Sequence, residues 1–227
     1  MEAHRTATPS RRTVRRPSMA AAKAVAVALV AVVALGACRP MAAFSFTYEG
    51  TGARVAVVGD SITAHAAADV VTALDGRARS VAGVPSMAMP AALDERVRPA
   101  VGTDPDVLVV ELGLNDALDG WDSTDLPTLE KMLSLLDGAR CVVWVTPTAL
   151  APSYYDHKGR GTLQARAAAF KASLLKRLPK HPNQHLADFS VLQLQHPEWF
   201  DADHLHHVEA GHAAYADFVA DAVDVCL

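Results

Sequence analysis

Basic residues are scarce outside the N-terminal stretch of this 227-residue chain. Residues 1–37 hold six of the 21 Lys+Arg and one of the 25 Asp+Glu, leaving 15 basic against 24 acidic residues from position 38 onward, a net charge near −9. Nucleic-acid binding needs concentrated positive charge to displace phosphate counterions, and no basic stripe with interleaved aromatics occurs, so no nucleic-acid partner is expected. Cysteine is sparse too, at three residues. With Cys38 in the N-terminal region, Cys141 and Cys226 remain, as a disulfide pair in an oxidising compartment or as two buried thiols in a reducing one. Long apolar runs are also missing. "AVAVALVAVVALGA", Ala24 to Ala37, is too short and Ala-rich for a comfortable membrane span. There is no internal repeat and no sign of a second domain. What remains, 51% hydrophobic and 20% charged, suits one compact domain with a full core.

The N-terminus has an order of its own. A basic start, "RRTVRRPSMAAAK", runs into the apolar stretch and then Cys38, as in a secretory signal peptide. "LGAC", Leu35 to Cys38, resembles a bacterial lipobox, which would anchor the protein to a membrane through a lipidated Cys38. Cleavage near Ala37 or Ala43 would instead release it freely, and "SRRTV" bears a weak twin-arginine resemblance. The expected division is an export segment over 1–38, a linker over 39–53 and one domain over 54–227. The expected location is extracellular or the outer face of the cell envelope.

Five short apolar runs punctuate the domain: "RVAVVG" from Arg54, "ARSVAGV" from Ala78, "DVLVVELG" from Asp106, "CVVWVTP" from Cys141 and "HLADF" from His185. Segments with helical features lie between them. Near-continuous apolar strands alternating with helices predict an α/β fold, a three-layer αβα sandwich around a five-stranded parallel sheet. Right-handed crossovers put every strand's C-terminal end on one edge. Ser61, the turn after Val84, Asn115 and the loop after Thr146 should therefore share a rim, with the polar loop 154–161 as a candidate flap over it.

At that rim stands "GDS", Gly59 to Ser61, with a glycine two places before the serine but Thr63 two places after it. Ser61 reads as a nucleophile or as a helix cap. "ELGLNDAL" presents Asn115, an amide donor or a turn former. Ahead of the final helix, "DADHLHH" crowds carboxylates and imidazoles into two overlapping Asp-x-x-His frames, Asp201 with His204 and Asp203 with His206. An Asp and a His three apart on a tight turn can form a base oriented by an acid. His204 and His206 flanked by Asp also raise a zinc alternative.

"VVGDSIT", "GLNDA" and the Asp-x-x-His turn resemble the first, third and fifth sequence blocks of the SGNH, or GDSL-type, esterases and lipases, in the family's order from about Arg54 to Cys226. The resemblance implies the flavodoxin-like SGNH hydrolase fold and a serine esterase acting through an acyl-enzyme, with no metal or organic cofactor. Ser61 would be the nucleophile, His206 the base and Asp203 its orienting acid. This frame leaves five steps to Gly211, like the family's approach to its last helix, where His204 leaves seven. The oxyanion would be held by the N–H of Ser61, the Asn115 side chain and a donor from the second block. Ser86 fits that donor by position and Gly83 by residue type. The implied substrate is a small-molecule, lipid or acylated-carbohydrate ester, and a monomer is expected. Acyl transfer to envelope carbohydrate, or binding without turnover, are the alternatives. Finally, Cys141 opens the fourth strand at the edge opposite the rim, and the last helix runs from the rim back toward that edge, which predicts a Cys141–Cys226 disulfide.

Overall fold

The structure, a computed structural model, describes residues 46–150 and 161–227. Five parallel strands form one sheet in the order β2-β1-β3-β4-β5: β1 (Arg54–Gly59), β2 (Ala78–Gly83), β3 (Val107–Glu111), β4 (Val142–Val145) and β5 (Gln184–Ala187). This is the αβα arrangement expected from the alternation of apolar runs and helices. The register aligns Gly59 with Gly83 on one side and with Glu111 on the other, so the C-terminal ends of the three strands lie level at one rim.

Side chains alternate between the two faces of the sheet. Ala56, Val58, Leu108, Val110, Val142 and Trp144 face a core completed by α6 (Leu126–Leu136) and part of α7 (Leu163–Leu175). Val55, Val57, Val107, Val109, Val143 and Val145 face the other, built on α1 (Ser61–His65), α2 (Ala67–Ala73) and α9 (Glu209–Val223). Every residue of β3 and β4 is buried, which is why these strands read as unbroken apolar runs. Each fully buried Val or Leu contributes about 1.5–3 kcal/mol, and this double-sided burial holds the rim in place.

The remaining helices are short: α3 (Met89–Ala92) continues through a π turn into α4 (Arg98–Gly102), α5 (Leu114–Asp119) follows β3, and α8 (Ser190–Gln195) follows β5. At the opposite edge Cys141 and Cys226 are joined in a disulfide with Cα atoms 6.0 Å apart. The C-terminal part of the expected linker packs on the domain. Phe46 is buried in the core, Tyr48 Oη lies 2.7 Å from Thr103 Oγ1, and Glu49 exchanges backbone hydrogen bonds with Arg79. The loop 154–161 falls outside the described residues apart from Gly161.

Candidate active site

The last residue of β1, Gly59, is a glycine because nothing larger fits: a Cβ there would sit 1.9 Å from Thr63 Oγ1. The chain then turns into α1, whose N-cap is Asp60, with Oδ1 accepting the Ile62 N–H at 2.9 Å. Ser61 opens the helix at the rim. Its Oγ lies 2.9 Å from His206 Nε2, and His206 Nδ1 lies 2.6 Å from Asp203 Oδ2. The other Asp203 oxygen accepts the backbone N–H groups of Leu205 and His206, both at 2.9 Å. One carboxylate thus folds the turn and orients the ring. Burial pushes the Asp203 carboxyl up, but the Leu205 and His206 N–H groups and the imidazole outweigh it and hold it at about 2. With an ionised acceptor at Nδ1, the imidazole keeps its proton there and turns a lone pair to the serine hydroxyl. Such a chain can carry a proton from Ser61 to His206.

The other frame is placed differently. Asp201 and His204 are both exposed, Asp201 Oδ1 accepts the next backbone N–H, and His204 adopts a φ of 54° with its carbonyl accepting the Leu150 N–H. Among the described residues, the donor atoms of Cys141, His185 and Cys226 come together at the far edge, but the two cysteines are joined to each other in a disulfide and offer no thiolate to a metal. The zinc alternative at His204 and His206 finds no such cluster there.

Asn115 reaches the rim because Gly113, at φ 108°, turns the chain sharply from β3 into α5. Its Nδ2 donates to Asp60 Oδ2 at 2.8 Å, so the carboxylate that caps the serine's helix also holds the amide beside it. Beneath this pair lies a group that the sequence reading missed. Glu111, fully buried, accepts with Oε2 from the Asp60 N–H at 3.2 Å, the Thr63 N–H at 3.4 Å and Thr63 Oγ1 at 3.0 Å, and Thr63 Oγ1 lies 2.8 Å from Tyr215 Oη. Burial and the neighbouring Asp60 carboxylate push Glu111 well above the ordinary range, and burial raises Asp60 as well, to about 6. The signal was present as a lone acid closing an otherwise apolar strand, "VLVVE".

A cavity of about 330 Å³ opens over Ser61. Among the described residues, Ser86, Asn115, Asp203, His206 and His65 supply its polar wall, and Pro85, Leu118, Leu163 and Leu205 its apolar one. Ser86 therefore stands at the cavity, with a φ of 60°. Gly83 does not line it. That glycine lets β2 pass close beneath α1, where a Cβ would lie 2.2 Å from the Ala64 nitrogen. His65 was also missed. Its ring lies 4.8 Å from that of His206, and burial, then the charges of His206 and His212, lower its pKa. Behind the turn, His207 is buried with Nε2 taking a 2.8 Å hydrogen bond from Gln193, and burial brings it down to about 4.

Similar arrangements of chain occur in solved structures. The C-terminal catalytic domain of peptidoglycan O-acetyltransferase A from Streptococcus pneumoniae is 21% identical, with a TM-score of 0.61, covering 78% of this chain and 96% of that one. An acetylxylan esterase from Geobacillus stearothermophilus, as a catalytic mutant, is 16% identical with a TM-score of 0.60, covering 78% and 96%. A lipase/acylhydrolase from Enterococcus faecalis is 22% identical with a TM-score of 0.61, covering 77% and 96%. At these identities the likeness establishes a shared fold. No curated protein matches in sequence. The model of the GDSL-like lipase/acylhydrolase family matches residues 45–214. That span begins nine residues ahead of β1, takes in Ser61 and the turn that carries His206 and ends within the last helix, and the chain belongs to the GDSL-like lipase/acylhydrolase family.

Proposed function

We propose that the protein is an exported serine esterase that cleaves short-chain carboxylic esters of carbohydrate. The observation that carries the chemistry is the unbroken hydrogen-bonded chain from Ser61 Oγ through His206 to Asp203. His206 takes the serine proton as Oγ attacks the ester carbonyl. The developing oxyanion is met by the backbone N–H groups of Ser61 and Ser86 and by the Asn115 amide, whose second N–H is free of the bond to Asp60. His206 then passes its proton to the departing alcohol, leaving an acyl-serine. Water repeats the attack with His206 again as base. Each donor is held before substrate arrives, so little reorganisation is left to the reaction itself.

The acyl preference is supported by the size of the cavity, about 330 Å³, at the low end for ligand sites. The carbohydrate alcohol is supported by the polar side of the wall and by the names of two similar folds, a peptidoglycan O-acetyltransferase and an acetylxylan esterase. Export is supported by the basic and then apolar N-terminal sequence.

The test is hydrolysis of p-nitrophenyl acetate, butyrate and octanoate by the wild type beside Ser61→Ala. The acetate should be cleaved with the highest kcat/KM, and Ser61→Ala should lose about a thousandfold or more in kcat with an unchanged circular dichroism spectrum. A variant that keeps more than a few per cent of the wild-type rate would remove Ser61 from the mechanism. A rate that rises with added xylo-oligosaccharide, with acylated sugar as product, would instead assign acyl transfer.

A further inference from the structure

Ser86 has an uncomfortable backbone. At a φ of 60° it occupies the left-handed region that side chains other than glycine avoid. Such a residue persists only where its surroundings hold it, and the loop on either side shows what does. Upstream, the Val84 N–H donates to the Gly59 carbonyl at 3.0 Å, and the Met87 N–H closes a turn onto the Val84 carbonyl at 3.2 Å. Downstream, α3 begins after Ala88, a residue with no side-chain oxygen to cap it. The first N–H of that helix, on Met89, is one of the donors a helix start leaves unmatched. It donates instead to the carboxylate of Asp116, 3.2 Å from Oδ1 and 3.1 Å from Oδ2.

Asp116 is the neighbour of Asn115 on α5. The same turn of chain that delivers the amide to the cavity therefore grips the loop that delivers Ser86. The grip has a cost, since burial raises the Asp116 carboxyl to about 6, with Asp125 and Asp119 adding to the rise. A group retained against that cost is accounted for by what it holds.

We propose that Asp116 is a positioning residue for the oxyanion site: by clamping the Met89 N–H it keeps Ser86 in its left-handed conformation and so keeps the Ser86 N–H aimed over Ser61, as one unit with Asn115. Released from the clamp, Ser86 relaxes to negative φ, and the peptide groups on either side swing away from the cavity. The proposal rests on the esterase reading for its kinetic consequence and on the hydrogen bonds alone for its structural one.

The experiment has an arm for each. Rates of p-nitrophenyl acetate hydrolysis are counted per serine titratable by a p-nitrophenyl phosphonate, so that unfolded protein does not enter. Asp116→Ala should lower kcat by about thirtyfold or more with KM within about threefold, as for a donor that acts on the developing oxyanion. Asp116→Asn, which keeps one acceptor oxygen, should lose far less. Adding Ser86→Gly to Asp116→Ala should restore about tenfold or more, because glycine takes positive φ without penalty. Where alanine leaves the site too bare to fold, Asp116→Ser, too short to reach Met89, carries the same comparison. The second arm is amide hydrogen exchange by NMR, in which Met89 and Ser86 should exchange faster in Asp116→Ala than in the wild type. Full kcat per titratable site in Asp116→Ala, or no rescue by Ser86→Gly, would overturn the proposal, as would unchanged exchange at Met89. A wild type that cleaves no ester and takes no phosphonate would overturn the esterase reading, leaving the exchange arm to decide the clamp.

Discussion

A carboxylate that accepts two backbone N–H groups and a ring N–H has little freedom left. At Asp203 those three bonds build the turn before α9 and set the tautomer of His206 together. Replacing His206 by Ala should therefore cost about a thousandfold or more in kcat, while His204→Ala, exposed and outside the cavity lining, should stay within about threefold of wild type. Steady-state rates on p-nitrophenyl acetate with both variants check this, and the reverse order would move the base to His204. In the sequence the two frames differ by a shift of two residues: the His204-Leu205 pair favours the first, and Leu205 before His206 with five steps to Gly211 favours the second. The structure separates them because Asp203 holds the His206 ring, whereas the exposed Asp201 accepts the neighbouring Ala202 N–H. Ser86 was legible by its position beyond the second strand, and the structure places it at the cavity, with Gly83 packed against α1 instead. The bond from Asn115 to Asp60 was not legible. Its partners are 55 positions apart, and nothing local in "GDS" says that the Asp has a second oxygen to give.

Among the elements, the strands were plain in the sequence because burial on both faces removes the polar alternation that would blur them. Residues 46–53 were not, since one buried phenylalanine and a single pair of backbone bonds to β2 leave no periodicity to read. The disulfide follows from direction alone. A parallel strand starts where a helix running back from its far end must finish, and α9 with the following turn places Cys226 beside Cys141. The bridge closes a separation of 85 residues, for which chain entropy gives about 4–5 kcal/mol. Reduction, or Cys141→Ser with Cys226→Ser, should lower the melting temperature by several degrees or more. The rate at 25 °C should be unchanged, because the bond lies at the edge away from Ser61. A matching fall in kcat at that temperature would show that α9 transmits strain to the turn carrying His206.

For the whole molecule, the buried acids and the buried imidazole pull stability in opposite directions. Asp60 and Asp116 are raised to about 6 and Glu111 further, each first by burial. A group that binds its proton more tightly folded than unfolded gives stability that fades as the pH rises through its folded value. His207, lowered to about 4, works against this. Unfolding frees it to take a proton below its ordinary value near 6.5, which costs stability between about 6.5 and 4. Three carboxyls outweigh two imidazoles, His207 and the likewise lowered His65, so calorimetry should give a higher melting temperature at pH 5 than at pH 8, and Asp116→Asn should narrow the gap. A melting temperature that rises from pH 5 to pH 8 would mean that these carboxyls are not held neutral. The path of the chain has one more consequence. Glu49 enters beside the first residues of β2 and Cys226 sits beside the residue that precedes β4, so both ends of the described domain lie where the strands begin, while Ser61 lies where they end. Fixed to a bead, a wall or a bilayer by either end, the molecule stands with its mouth outward, and a polymer too large to diffuse around it is met by the cavity rather than by the back of the sheet.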